Sequence, residues 1–208
     1  MKITLSSVVI SIGFAAALPL AQAQAPQMNV YFGLGTATDG SSGRAVNPLG
    51  IGTYNTPKMT GLFDNAGASF MFTPQFGLGA EVNWRASQGG YAGVNYRPIF
   101  YDFNTIWQPG RSKHFVPEFQ AGIGGVAVNF NANAQECNQL VGCSTVNLGS
   151  ESSNRFQVHM SVAVRMYATP HIFFRPAVDG HWVNNFFQFG SNWVPEYSLG
   201  IGYSFGGE

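Results

Sequence analysis

Between Phe76 and Arg85 the chain alternates without a break, Phe76, Leu78, Ala80, Val82 and Trp84 on one parity and Gly77, Gly79, Glu81, Asn83 and Arg85 on the other. Successive side chains of a strand point to opposite faces, so this segment has one apolar face and one that carries a carboxylate and a guanidinium. Arg155 to Met166 repeats the split: Phe156, Val158, Met160, Val162, Val164 and Met166 oppose Arg155, Gln157, His159, Ser161, Ala163 and Arg165. Eight segments of this kind follow one another: Met28 to Thr38, Thr60 to Phe72, Phe76 to Ala86, Tyr96 to Gln108, Phe115 to Phe130, Asn154 to Ala168, Ile172 to Asn184 and Val194 to Phe205. Such a series predicts an all-β fold.

The connections alternate too. Thr73-Pro74-Gln75, Pro109 to His114 and Thr169-Pro170-His171 are short, whereas Asp39 to Met59, Ser87 to Asn95, Asn131 to Ser153 and Asn185 to Trp193 are long and rich in Gly, Asn and Ser. Short turns at one end and long loops at the other predict an antiparallel up-and-down transmembrane β-barrel of eight strands. Hydrocarbon holds no water to satisfy an unpaired backbone group, so a sheet there must close and leave no edge. Alternation does not by itself say which way the apolar face points, and a soluble barrel would reverse it. Magnitude decides, because an Arg at the lipid midplane costs about 2–4 kcal/mol while a lumen can pair it.

Lys2, the apolar run Val8 to Leu20 and Ala21-Gln22-Ala23 read as a secretory signal with its cut after Ala23, giving a signal peptide over 1–23 and a barrel domain over 24–208. Removing Lys2 leaves 9 basic residues of the original 10 against 10 acidic ones, so nothing in the charge balance points to nucleic acid. Cys137 and Cys143 sit in a polar segment of an exported chain and are expected to form a disulfide that braces a loop. With odd strands running outward, Phe72, Phe76, Trp107, Phe115, Tyr167, Phe174, Tyr203 and Phe205 fall near one rim and Trp84, Trp182 and Tyr197 near the other. These are the two girdles that amphipathic rings form at the headgroups.

The signal, the eight alternating strands, the loop asymmetry and the closing Tyr203-Ser204-Phe205 together resemble the small outer-membrane β-barrel proteins of the OmpA-like and OmpX-like type. The resemblance covers nearly all of the mature chain, and no peptidoglycan-binding domain is expected after the barrel. It implies a bacterial outer-membrane location, assembly by the barrel insertion machinery, and contact with outer-membrane lipid and lipopolysaccharide. It also implies a monomer with a structural or surface-interaction role.

With the apolar parity in lipid, the other parity sends Glu81, Arg85, Asp102, Glu118, Arg155, His159, Arg165, Arg175, Asp179, His181 and Glu196 into the barrel. Isolated charges there are costly, so a cross-barrel network of pairs is expected. A narrow solute channel is the alternative. Gly124-Gly125 is expected to mark a bulge at which outward parity shifts to Val126, Val128 and Phe130. His159-Met160-Ser161 resembles the His-x-Ser pair of outer-membrane lipid A deacylases, with Asp179 or Glu118 as the orienting acid. In those enzymes the pair faces lipid, whereas His159 and Ser161 share the face of Arg155 and Arg165, so no catalytic residue is assigned. No cofactor or metal is expected either, since His114 and His171 lack companions at ligand spacing. Phe186, Phe187 and Phe189 in the last long loop point to contact with a partner protein, a sugar or lipopolysaccharide, or to packing against neighbouring loops.

Overall fold

The computed structural model describes residues 26–40, 45–46, 54–91, 94–138, 142–186 and 189–206, the side chains of 45–46, 54, 132–138 and 142–148 excepted. The expected signal segment, residues 1–23, lies outside them. The strands are β1 (Gln27–Ala37), β2 (Ala45–Val46), β3 (Tyr54–Asn55), β4 (Phe63–Met71), β5 (Phe76–Arg85), β6 (Gly89–Tyr91), β7 (Val94–Trp107), β8 (Phe115–Asn138), β9 (Gly142–Tyr167), β10 (Ile172–Val183) and β11 (Trp193–Phe205). Eight of them close into an antiparallel barrel: β1 pairs with β11 and β4, and the β5–β7 ladder from Phe76↔Trp107 to Trp84↔Ile99 completes the circuit. The other three are small. β2 and β3 form a hairpin inside the first long connection, and β6 lies along β7.

Alternation in sequence becomes inside and outside in space. Leu34, Phe70, Leu78, Phe103, Met160, Val178 and Leu199 are exposed on the outer wall, Phe103 by 69%, although each neighbours a buried residue on its own strand. A belt of that kind is stable only where hydrocarbon covers it. Aromatic rings edge the short-turn rim of the belt, where Phe72, Phe76, Trp107, Phe115 and Phe205 are all exposed.

Two expectations need correction. The segment expected as a loop from Asn131 to Ser153 is paired strand over residues 131–138 and 142–153, because β8 and β9 stay paired from Phe115↔Met166 to Cys137↔Cys143 and Asn138↔Gly142 as the outer half of a long hairpin. Strands that stand in water need no apolar face, so polar residues conceal them. Nor is there a bulge at Gly124-Gly125. Register runs unbroken through Gly124↔Gln157 and Gly125↔Phe156, and the irregularity lies at Ala132/Asn133. Val126 and Val128 continue the inward parity of Glu118 and Gln120 and are buried inside the barrel. What changes along β8 is the content of the lumen, from polar to apolar.

Candidate functional site: a filled lumen

The lumen has three parts. At the long-loop end Ala37, Met59, Phe63, Tyr96, Phe100, Val126, Val128, Val183, Phe186, Phe189 and Val194 form one buried apolar cluster. Phe186 and Phe189, held after the turn at Asn185 (φ 56°), stack at 4.5 Å, and Phe189 meets the Tyr96 ring edge-on at 5.7 Å. These two rings therefore stopper the barrel, which is the packing alternative of the two expected of them, made inside the mouth of the barrel and not towards a partner. An aromatic loop has more apolar area to bury inside the open mouth than it could hide above it. Phe187 lies outside the described residues.

Below the stopper is a histidine group. His159 on β9 faces His181 on β10 across the ladder, their rings 4.9 Å apart and 24° from parallel. His159 Nδ1 lies 3.2 Å from Asp102 and its Nε2 3.4 Å from Asp179, while His181 Nε2 lies 3.4 Å from Glu196. Asp102 is on β7, two strands from His159, and the reach is made by glycine. Gly122 on β8 stands between Asn104 and His159 in register, and a Cβ there would collide with the Asn104 side chain and the Phe103 carbonyl. Its absence lets Asn104 Oδ1 come within 2.9 Å of His159 Nδ1.

Nearer the short turns lies an arginine group. Glu118 takes Arg175 Nε at 3.0 Å and Gln120 at 2.8 Å on one oxygen, and Arg165 and Gln108 (3.1 Å) on the other. Arg175 also lies 3.8 Å from Glu81 and over the Tyr31 ring at 4.5 Å. Tyr31 donates its hydroxyl to Glu81 at 2.5 Å, and Asn65 donates to the other Glu81 oxygen. Gly67 separates Tyr31 from Glu81 in register, and a side chain there would occupy the space of the Tyr31 ring. Arg165 reaches Ser69 Oγ at 3.1 Å and rests over Phe173.

Of the residues expected inside, the fold gathers Glu81, Asp102, Glu118, His159, Arg165, Arg175, Asp179, His181 and Glu196, each almost wholly buried. Arg85 and Arg155 share their parity but remain part-exposed. Arg85 donates to the carbonyls of Thr60 (2.8 Å) and Lys58 (3.5 Å) at the rim, and among the described residues neither arginine pairs with a carboxylate. Sequence reasoning centred on charge missed the neutral partners Tyr31, Asn65, Ser69, Asn104, Gln108 and Gln120. Their inward parity was the signal that could have found them. Ser161 is buried beside His159, whose two ring nitrogens are already directed at Asp102 and Asp179. Cys137 and Cys143 are directly opposite in register, and their side chains lie outside the described residues.

Closed eight-strand wall, apolar exterior and filled polar interior together define the class: the architecture is that of a bacterial outer-membrane β-barrel. Solved structures share it. A major outer membrane protein from Thermus thermophilus superposes with a TM-score of 0.58 at 12% identity, over 87% of this chain and 100% of its own. Neisserial surface protein A gives 0.54 at 10% identity over 86% and 97%. Ail, the attachment invasion locus protein of Yersinia pestis, in complex with the heparin analogue sucrose octasulfate, gives 0.52 at 11% identity over 86% and 99%. No protein-family model and no curated protein matches the sequence.

Proposed function

We propose that this protein is a closed, non-catalytic barrel of the bacterial outer membrane that displays its β8–β9 hairpin and long loops to ligands at the cell surface. The observation that carries this reading is the lumen: an apolar stopper set on two ion-paired groups leaves the extended hairpin as the part available for contact. The short turns lie on the periplasmic side in this arrangement, the rings at the rims rest among headgroups and lipopolysaccharide, and the chain works as a monomer. Export by residues 1–23 and folding by the barrel insertion machinery bring it there. A Cys137–Cys143 disulfide near the hairpin tip would hold the two strands in register. Ail supplies a precedent for ligand binding on this fold, since it has been crystallised with a heparin analogue.

The test uses the full mature chain. Reconstituted in planar bilayers it should carry no current, and cells producing it should keep an unchanged lipid A profile with Ser161 intact or replaced by Ala. A variant with residues 133–147 replaced by a short turn should still show heat-modifiable migration and lose surface attachment. Steady conductance, lipid turnover that requires Ser161, or attachment unaffected by the deletion would overturn the reading.

A further inference from the structure

We propose that the histidine group is a binding site for one divalent transition-metal ion, held by His159, His181 and Asp102. The two halves of the lumen differ in charge. Glu81 and Glu118 are paired with Arg165 and Arg175, whereas among the described residues Asp102, Asp179 and Glu196 have no ion-pair partner within 4 Å other than the two imidazoles, Arg175 acting on Asp179 from farther away. A dication held there would supply the positive charge that arginine supplies in the other half.

The group gathers the donor types that such metal sites use, two imidazoles and a carboxylate. Each imidazole has one nitrogen 3.4 Å from a carboxylate, His159 Nε2 from Asp179 and His181 Nε2 from Glu196, contacts that are not hydrogen bonds here and that a small ring rotation would turn into the carboxylate–histidine pairs that orient metal ligands. The other nitrogens are turned elsewhere. His159 Nδ1 lies 3.2 Å from Asp102 and 2.9 Å from Asn104 Oδ1, a contact that an ion would displace, and among the described residues neither His181 Nδ1 nor Asp102 Oδ2 has a hydrogen-bond partner, although both side chains are buried. Donor atoms of Asp102, His159 and His181 lie within 4.8 Å of one another, so side-chain rotations of about 1 Å bring them round an ion with bonds of roughly 2.1 Å. Two imidazoles and a carboxylate select Zn2+, Co2+, Ni2+ or Cu2+ over Mg2+ or Ca2+, which favour oxygen alone. The stopper closes the site from outside and the arginine group from the other end, so the ion enters while the barrel forms. This inference is independent of what the loops bind.

The mature chain, made without a histidine tag, is refolded from urea into detergent micelles with Zn2+ present, desalted, and assayed for metal by mass spectrometry. One zinc per folded chain is expected, together with a higher urea midpoint than protein refolded in chelator. Co2+ in place of Zn2+ should give visible d–d absorption from a nitrogen- and oxygen-ligated ion. His159→Gln and His181→Gln should abolish retention, Asp102→Asn should weaken it, and His114→Ala in a short turn should leave it unchanged. Wild-type barrel with normal heat-modifiable migration and no retained zinc would overturn the proposal. Zinc retained in full by a folded His159→Gln, His181→Gln double variant would overturn it as well, and if that variant does not fold, Asp102→Asn and the cobalt spectrum decide.

Discussion

Glu118→Gln tests whether the lumen is held by charge pairing. The substitution keeps size and shape but leaves Arg165 and Arg175 without the carboxylate they share. Arg175 retains Glu81 at 3.8 Å, whereas among the described residues Arg165 keeps Ser69 Oγ at 3.1 Å and the face of Phe173 but no carboxylate, so the loss falls on Arg165. The glutamine NH2 would also point at guanidinium and amide donors where an acceptor stood. Removing one partner of a buried pair costs about 3–5 kcal/mol, because the other charge stays buried and uncompensated. The measurement is equilibrium urea unfolding of the protein refolded into phospholipid vesicles, followed by tryptophan fluorescence. Adding Arg165→Met to the Glu118→Gln variant should recover roughly 2 kcal/mol, a coupling that only residues in contact show. A Glu118→Gln barrel within about 1 kcal/mol of wild type, or strict additivity of the two substitutions, would refute a pairing that sustains the fold.

Val178→Arg, on the lipid face of β10, should lower stability in vesicles by about 2–4 kcal/mol, and a neutral result would show that this wall does not face hydrocarbon. Phe186→Ala with Phe189→Ala should cost roughly 3 kcal/mol or more in the same unfolding assay and still give no bilayer current, since both ion-paired groups remain below the stopper. Gly122→Val should fail to give heat-modifiable folded protein, because its side chain meets the Asn104 side chain and the Phe103 carbonyl, and normal migration would contradict that packing. Replacing residues 133–147 with a short turn should leave the urea midpoint within about 1 kcal/mol of wild type, as judged by the same fluorescence, because the paired barrel ends below that segment.

The membrane wall was legible because lipid imposes a rule on every second residue. β5 and β9 show it plainly: Leu78 and Met160 are outside, Glu81 and His159 inside. Where lipid stops, the rule lapses. The outer half of the β8–β9 hairpin read as a loop since neither of its faces is required to be apolar, and β2 and β3 were missed for the same reason. Val126 and Val128 misled in a different way. An apolar residue buried in a stopper is written with the same letters as one buried in lipid, so their parity was taken to flip when only the filling had changed. Phe186 and Phe189 are the matching half of that stopper, contributed by a loop whose docking no local pattern records. Within the site, charge identified the ionic members, but the grouping of Glu118 with two arginines and of Asp102 with two histidines depends on which strands adjoin after closure. Alternation along one strand carries no information about that.

The interleaving of wall residues also governs the route to the membrane. No single strand of this barrel is continuously greasy: Leu78 and Val82 flank Glu81, and Val162 and Val164 stand between His159 and Arg165. Unfolded, such a chain averages out as a water-compatible polymer and offers a lipid bilayer no segment to seize. Its affinity for oil belongs to the closed cylinder and not to any stretch of the polypeptide, so insertion and folding have to be one event.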